Sequence, residues 1–168
     1  MVRFQRGNHH AMKKLILILA ISGLLPIPAF AAATQEDVKY SSQVSSTVQA
    51  FSNEATNWGT VVGSAPTLTT GSKYQAYKSK AAKASDKFIS VIRQLKGLKA
   101  SPGFAKSGPK LVSAMTIYEK AITSLTAAMN KNDVKAIGKA GQLATKAGTA
   151  YLAWQKAYTA DVAALNGK

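Results

Sequence analysis

The sequence predicts an all-α protein: an antiparallel up-down-up-down four-helix bundle preceded by a cleavable signal peptide. Three observations lead there. Apolar residues recur at alternating spacings of three and four in four separate segments, and breaks rich in glycine, proline or asparagine divide those segments. Ahead of them, a short apolar run sits between two lysines and a cluster of alanines.

The leader is the first element. Met12-Lys13-Lys14 supplies a basic start, residues 15–25 are the apolar stretch, Pro26-Ile27-Pro28 breaks it, and Ala29-Phe30-Ala31-Ala32-Ala33 offers a small-x-small site. Together these form the grammar of a secretory signal peptide, with Ala29 and Ala31 as the small residues and the cut expected between Ala31 and Ala32. Ala33 marks the close alternative. An uncleaved membrane anchor is excluded on length, since a helical span needs roughly 20 apolar residues. Residues 1–11 ahead of Met12 read as an upstream start-site extension. Residues 1–31 would thus leave, taking both histidines, His9 and His10, with them. No cysteine follows the apolar stretch, so no lipid-modified N-terminus is expected, and the product should be free in the periplasm or outside the cell.

Residues 32–168 then form one domain of 137 residues with a net charge of +11, without cysteine and without any segment expected to cross a membrane. An exported chain lacking disulfides must be held by its core alone. The same composition removes most chemistry. Histidine and cysteine supply the commonest general base, transition-metal ligand and thiol nucleophile, and neither remains. The seven carboxylates Glu36, Asp37, Glu54, Asp86, Glu119, Asp133 and Asp161 are scattered apart from the first pair. No phosphate-cradling glycine loop is present. The expectation is a non-catalytic protein with no cofactor and no metal.

Helices are expected near 36–62, 72–98, 109–130 and 133–166. The first carries Val44, Val48, Phe51, Ala55, Trp58 and Val62 on one face; the second Tyr74, Tyr77, Ala81, Ala84, Phe88, Val91, Leu95 and Leu98. The third carries Leu111, Ala114, Tyr118, Ala121, Leu125 and Ala128, broadened by Met115, Ile122 and Met129. The fourth reads Val134, Ile137, Gly141, Ala144, Gly148, Tyr151, Tyr158, Val162 and Leu165, interrupted by polar Gln155. Phe51, Phe88, Tyr118 and Tyr151 fall near mid-helix and should meet in one aromatic layer. Pro109 suits a first helical turn, and Asn132 or Asp133 can cap the last helix. Short connections between long helices favour antiparallel neighbours.

Two candidate sites emerge. Lys73, Lys80 and Lys87 recur every seven residues, joined by Lys83, so they line one edge of the second helix about 10 Å apart. Lys135, Lys139 and Lys146 form a shorter row on the fourth. Such a field attracts anionic envelope polymer, lipid headgroups or nucleic acid. Only Arg93 among the 18 basic residues beyond the leader is arginine, which argues against sequence-specific reading of bases. The second candidate is an apolar pocket. Gly138, Gly141 and Gly148 interrupt a helical pattern at about 1 kcal/mol each, which suggests close approach by the rings of Trp58, Tyr74 and Tyr77, or a gap between them. The expected function is an exported binding or interaction module with weak affinity for anionic surfaces or polymers, or for a protein partner. The alternative is a carrier or chaperone-like bundle holding an apolar ligand or client.

Overall fold

A computed structural model describes residues 33–66 and 70–167. The leader, with Ala29, Ala31 and Ala32 at its expected cleavage point, lies outside the described residues. Within them the chain is all-helical, a four-helix bundle: α1 (Gln35–Gly63), α2 (Ser72–Gly97), α3 (Gly108–Asn130) and α4 (Val134–Asn166). A single 3-10 turn, Pro102–Phe104, lies between α2 and α3.

Each boundary has a local cause. Thr34 and Asp37 form a reciprocal capping box: the Thr34 hydroxyl accepts the Asp37 N–H, and the Asp37 carboxylate accepts the Thr34 N–H at 3.0 Å. Gly71 precedes α2 at φ 85°, a left-handed conformation that glycine adopts without strain. Pro109 occupies the first turn of α3, where its missing N–H is no loss. After α3 the chain reverses through Asn132 at φ 53°, with the Asp133 N–H closing onto the Ala128 carbonyl at 2.9 Å. Of the two candidate caps, Asp133 serves α4, accepting the Ala136 N–H at 2.9 Å.

The expected apolar faces of α1 and α3 are buried throughout, and that of α2 is buried except at half-buried Leu98. The aromatic layer forms. Phe51 lies 5.2 Å from Phe88, 5.3 Å from Tyr118 and 5.5 Å from Tyr151, centroid to centroid. Tilted or offset ring pairs of this kind each contribute roughly 1 kcal/mol beyond simple burial.

On α4 the expected stripe needs correcting. Its buried seam runs through Ala140, Ala144, Ala147, Tyr151, Trp154 and Tyr158. Trp154 is fully buried, so the seam steps three and then four beyond Tyr151, and Gln155 is no interruption because it sits beside the seam. Val134 is 49 % exposed rather than core, and Ile137, Gly141, Val162 and Leu165 are half-buried. An alanine-rich helix offers several equally apolar lines, and the neighbours choose among them.

Contacts between helices fix their order around the core. Trp58 donates to Ser85 and Tyr77 donates to the Val62 carbonyl, so positions rise along α1 as they fall along α2. Thr126 donates to Ser85, and Phe88 meets Tyr118, giving the same sense between α2 and α3. Tyr118 meets Tyr151 while the Ser107 N–H reaches Asp161, which pairs α3 with α4. Ser41 and Tyr158 share a hydrogen bond at 2.7 Å, and with the Phe51–Tyr151 contact they bring α1 against α4. The helices therefore run α1, α2, α3, α4 around the core, and α2 and α4 stand on its diagonal.

Candidate functional site

The charge of the bundle is unevenly shared. α2 carries seven basic residues against Asp86 alone, net +6, and α4 carries four against Asp161, net +3. α3 has Lys110 and Lys120 against Glu119, net +1, while α1 has Lys39 against Glu36, Asp37 and Glu54, net −2. The positive charge thus gathers on the two diagonal helices.

Three of the α2 cations are engaged inside the molecule. Arg93 bonds one Glu119 oxygen at 2.7 Å and Lys96 bonds the other, tying α2 to α3. The hydrogen bonds from Lys96 and then Arg93 hold the Glu119 carboxyl below its ordinary range. Lys78 lies 5.3 Å from the centre of the Tyr74 ring. The other four, Lys73, Lys80, Lys83 and Lys87, are exposed and make no ion pair among the described residues. They line one edge of the helix beside its apolar seam, Lys73, Lys80 and Lys87 each one turn before a buried residue, Tyr77, Ala84 and Val91. Lys135, Lys139 and Lys146 are likewise exposed and unpaired among the described residues, on the outward face of α4.

The two rows do not converge. Because α2 and α4 are diagonal, their outward faces look in opposite directions. Seven candidate anion-binding lysines therefore make two faces, with α2 the denser.

The aromatic–glycine candidate is distributed differently. Tyr74 and Tyr77 stack at 5.9 Å, and the Tyr74 hydroxyl donates to Asn132 in the α3–α4 turn. Trp58 lies against Phe88, with its indole N–H bonded to Ser85 at 3.0 Å. All three rings are buried, Tyr77 with its hydroxyl pushed up to about 12 by burial and then by Tyr74. The contacts of these rings run to α1 and α2, to the Met129 carbonyl at the end of α3 and to Asn132 in the α3–α4 turn. Gly148 is buried and Gly141 half-buried on α4. Gly138 is exposed, and a Cβ built on it would meet nothing within 4 Å, so close approach does not explain that glycine.

Sequence reasoning missed a polar cluster at the end where α1 begins. Asp37 is only 2 % exposed, yet its carboxylate accepts from the Thr34 N–H and hydroxyl, from the Ser101 hydroxyl at 2.7 Å and from the Gly103 N–H at 2.9 Å. Burial pushes this carboxyl up, but the bonds from Ser101, Thr34 and Gly103 outweigh it and hold it at about 2. Nearby, Phe104 is fully buried between Tyr40 and Tyr158, 5.0 Å from each ring. Buried Asp161 accepts the Ser107 N–H at 2.9 Å. Burial, then Tyr158 and Asp161, raise Tyr40 to about 12. The Thr34-x-x-Asp37 spacing was the available signal. These carboxylates hold backbone and hydroxyls together.

Two surface grooves lie among the described residues. One, between α2 and α3, is lined by Asp86, Ile89, Ser90, Arg93, Gln94 and Thr123. The other runs from Glu36, Lys39, Tyr40 and Gln43 across residues 97–102. Neither includes the lysine rows or the aromatic–glycine set. Among the described residues no group of three or more histidine, cysteine or acidic side chains is placed to hold a metal ion, and no helix is long and apolar enough to cross a membrane. No family model, curated protein or solved structure matches the chain.

Proposed function

We propose that this is an exported, non-catalytic, up-down-up-down helical-bundle protein that adheres through lysine rows to anionic, phosphate-bearing material of the cell envelope. The export half rests on the leader, with residues 1–31 removed after Ala31. The adhesive half rests on one observation above all: Lys73, Lys80, Lys83 and Lys87 are exposed, free of ion pairs among the described residues, and gathered along one edge of α2.

The magnitudes suit weak, reversible adhesion. A lysine near an anionic membrane surface is worth about 1 kcal/mol, so four supply about 4 kcal/mol, which corresponds to a dissociation constant on the order of 1 mM. Lysine adds diffuse charge without the planar fork that grips phosphate bidentately, consistent with adhesion that does not discriminate sequence.

The test begins by expressing the full chain and weighing the recovered protein, which should have lost residues 1–31. Its binding to anionic vesicles, wall polymer and DNA is then followed against salt. Binding should fall steeply as the screening length shrinks from roughly 10 Å at 0.1 M to about 3 Å at 1 M. Replacing Lys73, Lys80 and Lys87 by glutamine should weaken it more than replacing Lys110, Lys120 and Lys131. Equal effects from the two triples would leave bulk charge as the only agent and overturn the row.

A further inference from the structure

From the diagonal placement of the two lysine rows, and resting on the electrostatic reading above, we infer that the protein is two-faced and bridges two anionic lipid surfaces. Charge added only for solubility has no reason to avoid two of the four helices. Here the outward faces of α1 and α3 lie on helices of net −2 and +1, while α2 and α4 hold +6 and +3. One membrane is met by Lys73, Lys80, Lys83 and Lys87, and a second by Lys135, Lys139 and Lys146 on the far side.

The distances allow both to be held at once. Neighbouring helices pack 8–10 Å apart and each is 10–12 Å across with side chains, so the diagonal measures roughly 25 Å from row to row. That exceeds the screening length of about 8 Å at physiological salt. Each surface therefore feels the row it touches, and the two surfaces barely repel one another.

The shape of the faces selects a membrane over a thread-like polyanion. Proteins that track single-stranded nucleic acid do so in a basic groove with aromatic stacking platforms. None of the row lysines lines a groove described above; the α2–α3 groove borders the α2 row through Ser90 and Gln94, and no aromatic lines it. Exposed Ala76, Ser90 and Gln94 on α2 and Gln142 and Thr149 on α4 share these faces, with no exposed aromatic among them. The α2 face exposes no large apolar side chain, while α4 exposes Val134 and Leu152 beside its row, and basic faces of this kind fit a plane of headgroups.

The experiment separates binding from bridging. The processed protein recovered from full-chain expression is mixed with phosphatidylglycerol–phosphatidylcholine vesicles at 0.1 M salt, where the screening length is about 10 Å. Co-sedimentation reads binding, and turbidity reads clustering. The unaltered protein should do both. Reversing the α4 row (K135E/K139E/K146E) should retain most co-sedimentation and lose clustering, and reversing the α2 row (K73E/K80E/K83E/K87E) should lose both. Circular dichroism checks the fold, and glutamine versions of the same sets replace any reversal that fails it. Sedimentation without clustering by the unaltered protein overturns bridging and leaves adhesion standing. Undiminished clustering by the α4 variant also overturns it. Binding to wall polymer or DNA but not to vesicles overturns the choice of a membrane. Binding to none of the three overturns adhesion and bridging together.

Discussion

Where α1 begins and α4 finishes, carboxylates hold the chain connections; at the opposite end of the bundle, tyrosine hydroxyls do. Asp37 gathers four hydrogen bonds from Thr34, Ser101 and Gly103, and Asp161 takes a fifth from Ser107. The other end relies on Tyr77 donating to the Val62 carbonyl and Tyr74 donating to Asn132. Hydrogen bonds to a charged group are worth about 1.5–3 kcal/mol, and neutral ones about 1. The difference teaches that a connection of ten residues, 98–107, is anchored by two buried carboxylates, whereas the tighter α3–α4 turn is held by its own backbone, the Asp133 cap and the Tyr74 hydroxyl.

The sharpest break of this comparison is Asp37→Ala. It strands the Ser101 hydroxyl and two N–H groups without an acceptor, and should lower stability by about 3 kcal/mol. The urea midpoint should fall with its slope unchanged. Gly103→Ala comes next. A Cβ there would lie 2.5 Å from the Asp37 carboxylate oxygen and 3.0 Å from Leu165, so a loss of about 2 kcal/mol is expected from overpacking. A thermal midpoint equal to that of the parent would show that the 98–107 connection moves aside freely.

Acid should separate the two ends without any mutation. The folded Asp37 pKa of about 2 lies below the ordinary 3.8, so its contribution is complete above about pH 4 and is lost as pH falls toward 2. That window should remove about 2 kcal/mol. Amide exchange should accelerate first at Ser101 to Ser107, while the Tyr77 end holds. Equal acceleration at both ends would erase the distinction. Tyr77→Phe should have the smallest effect, about 1 kcal/mol from the hydroxyl bond, since its ring stays in place.

Most of the core was legible because three helices offer one clear apolar line each. Phe51, Phe88 and Tyr118 stand within about a turn of the centres of their helices, and spacing alone aligns them. α4 was harder because its alanines and glycines blur the line, so Trp154 could be placed only by Tyr151 and Tyr158 on either side of it. Phe104 was not legible, as a single aromatic in a connection carries no period. The lysine rows are visible in the sequence one helix at a time. That they face apart is a property of helix order, which no spacing within one helix contains.

The hydrogen bond between Ser41 and Tyr158 joins positions 117 residues apart, and Phe51 meets Tyr151 across a separation nearly as long. The first helix thus finds one of its two flanks in the last. During synthesis, α1 and α2 can pair as soon as both have emerged, but the ring of four stays open until α4 follows. Chain closure between distant segments is the slow part of folding. A chain whose core shuts only at its final helix stays pliable through most of its own production, a useful property for any polypeptide that must be threaded through a narrow passage before it folds.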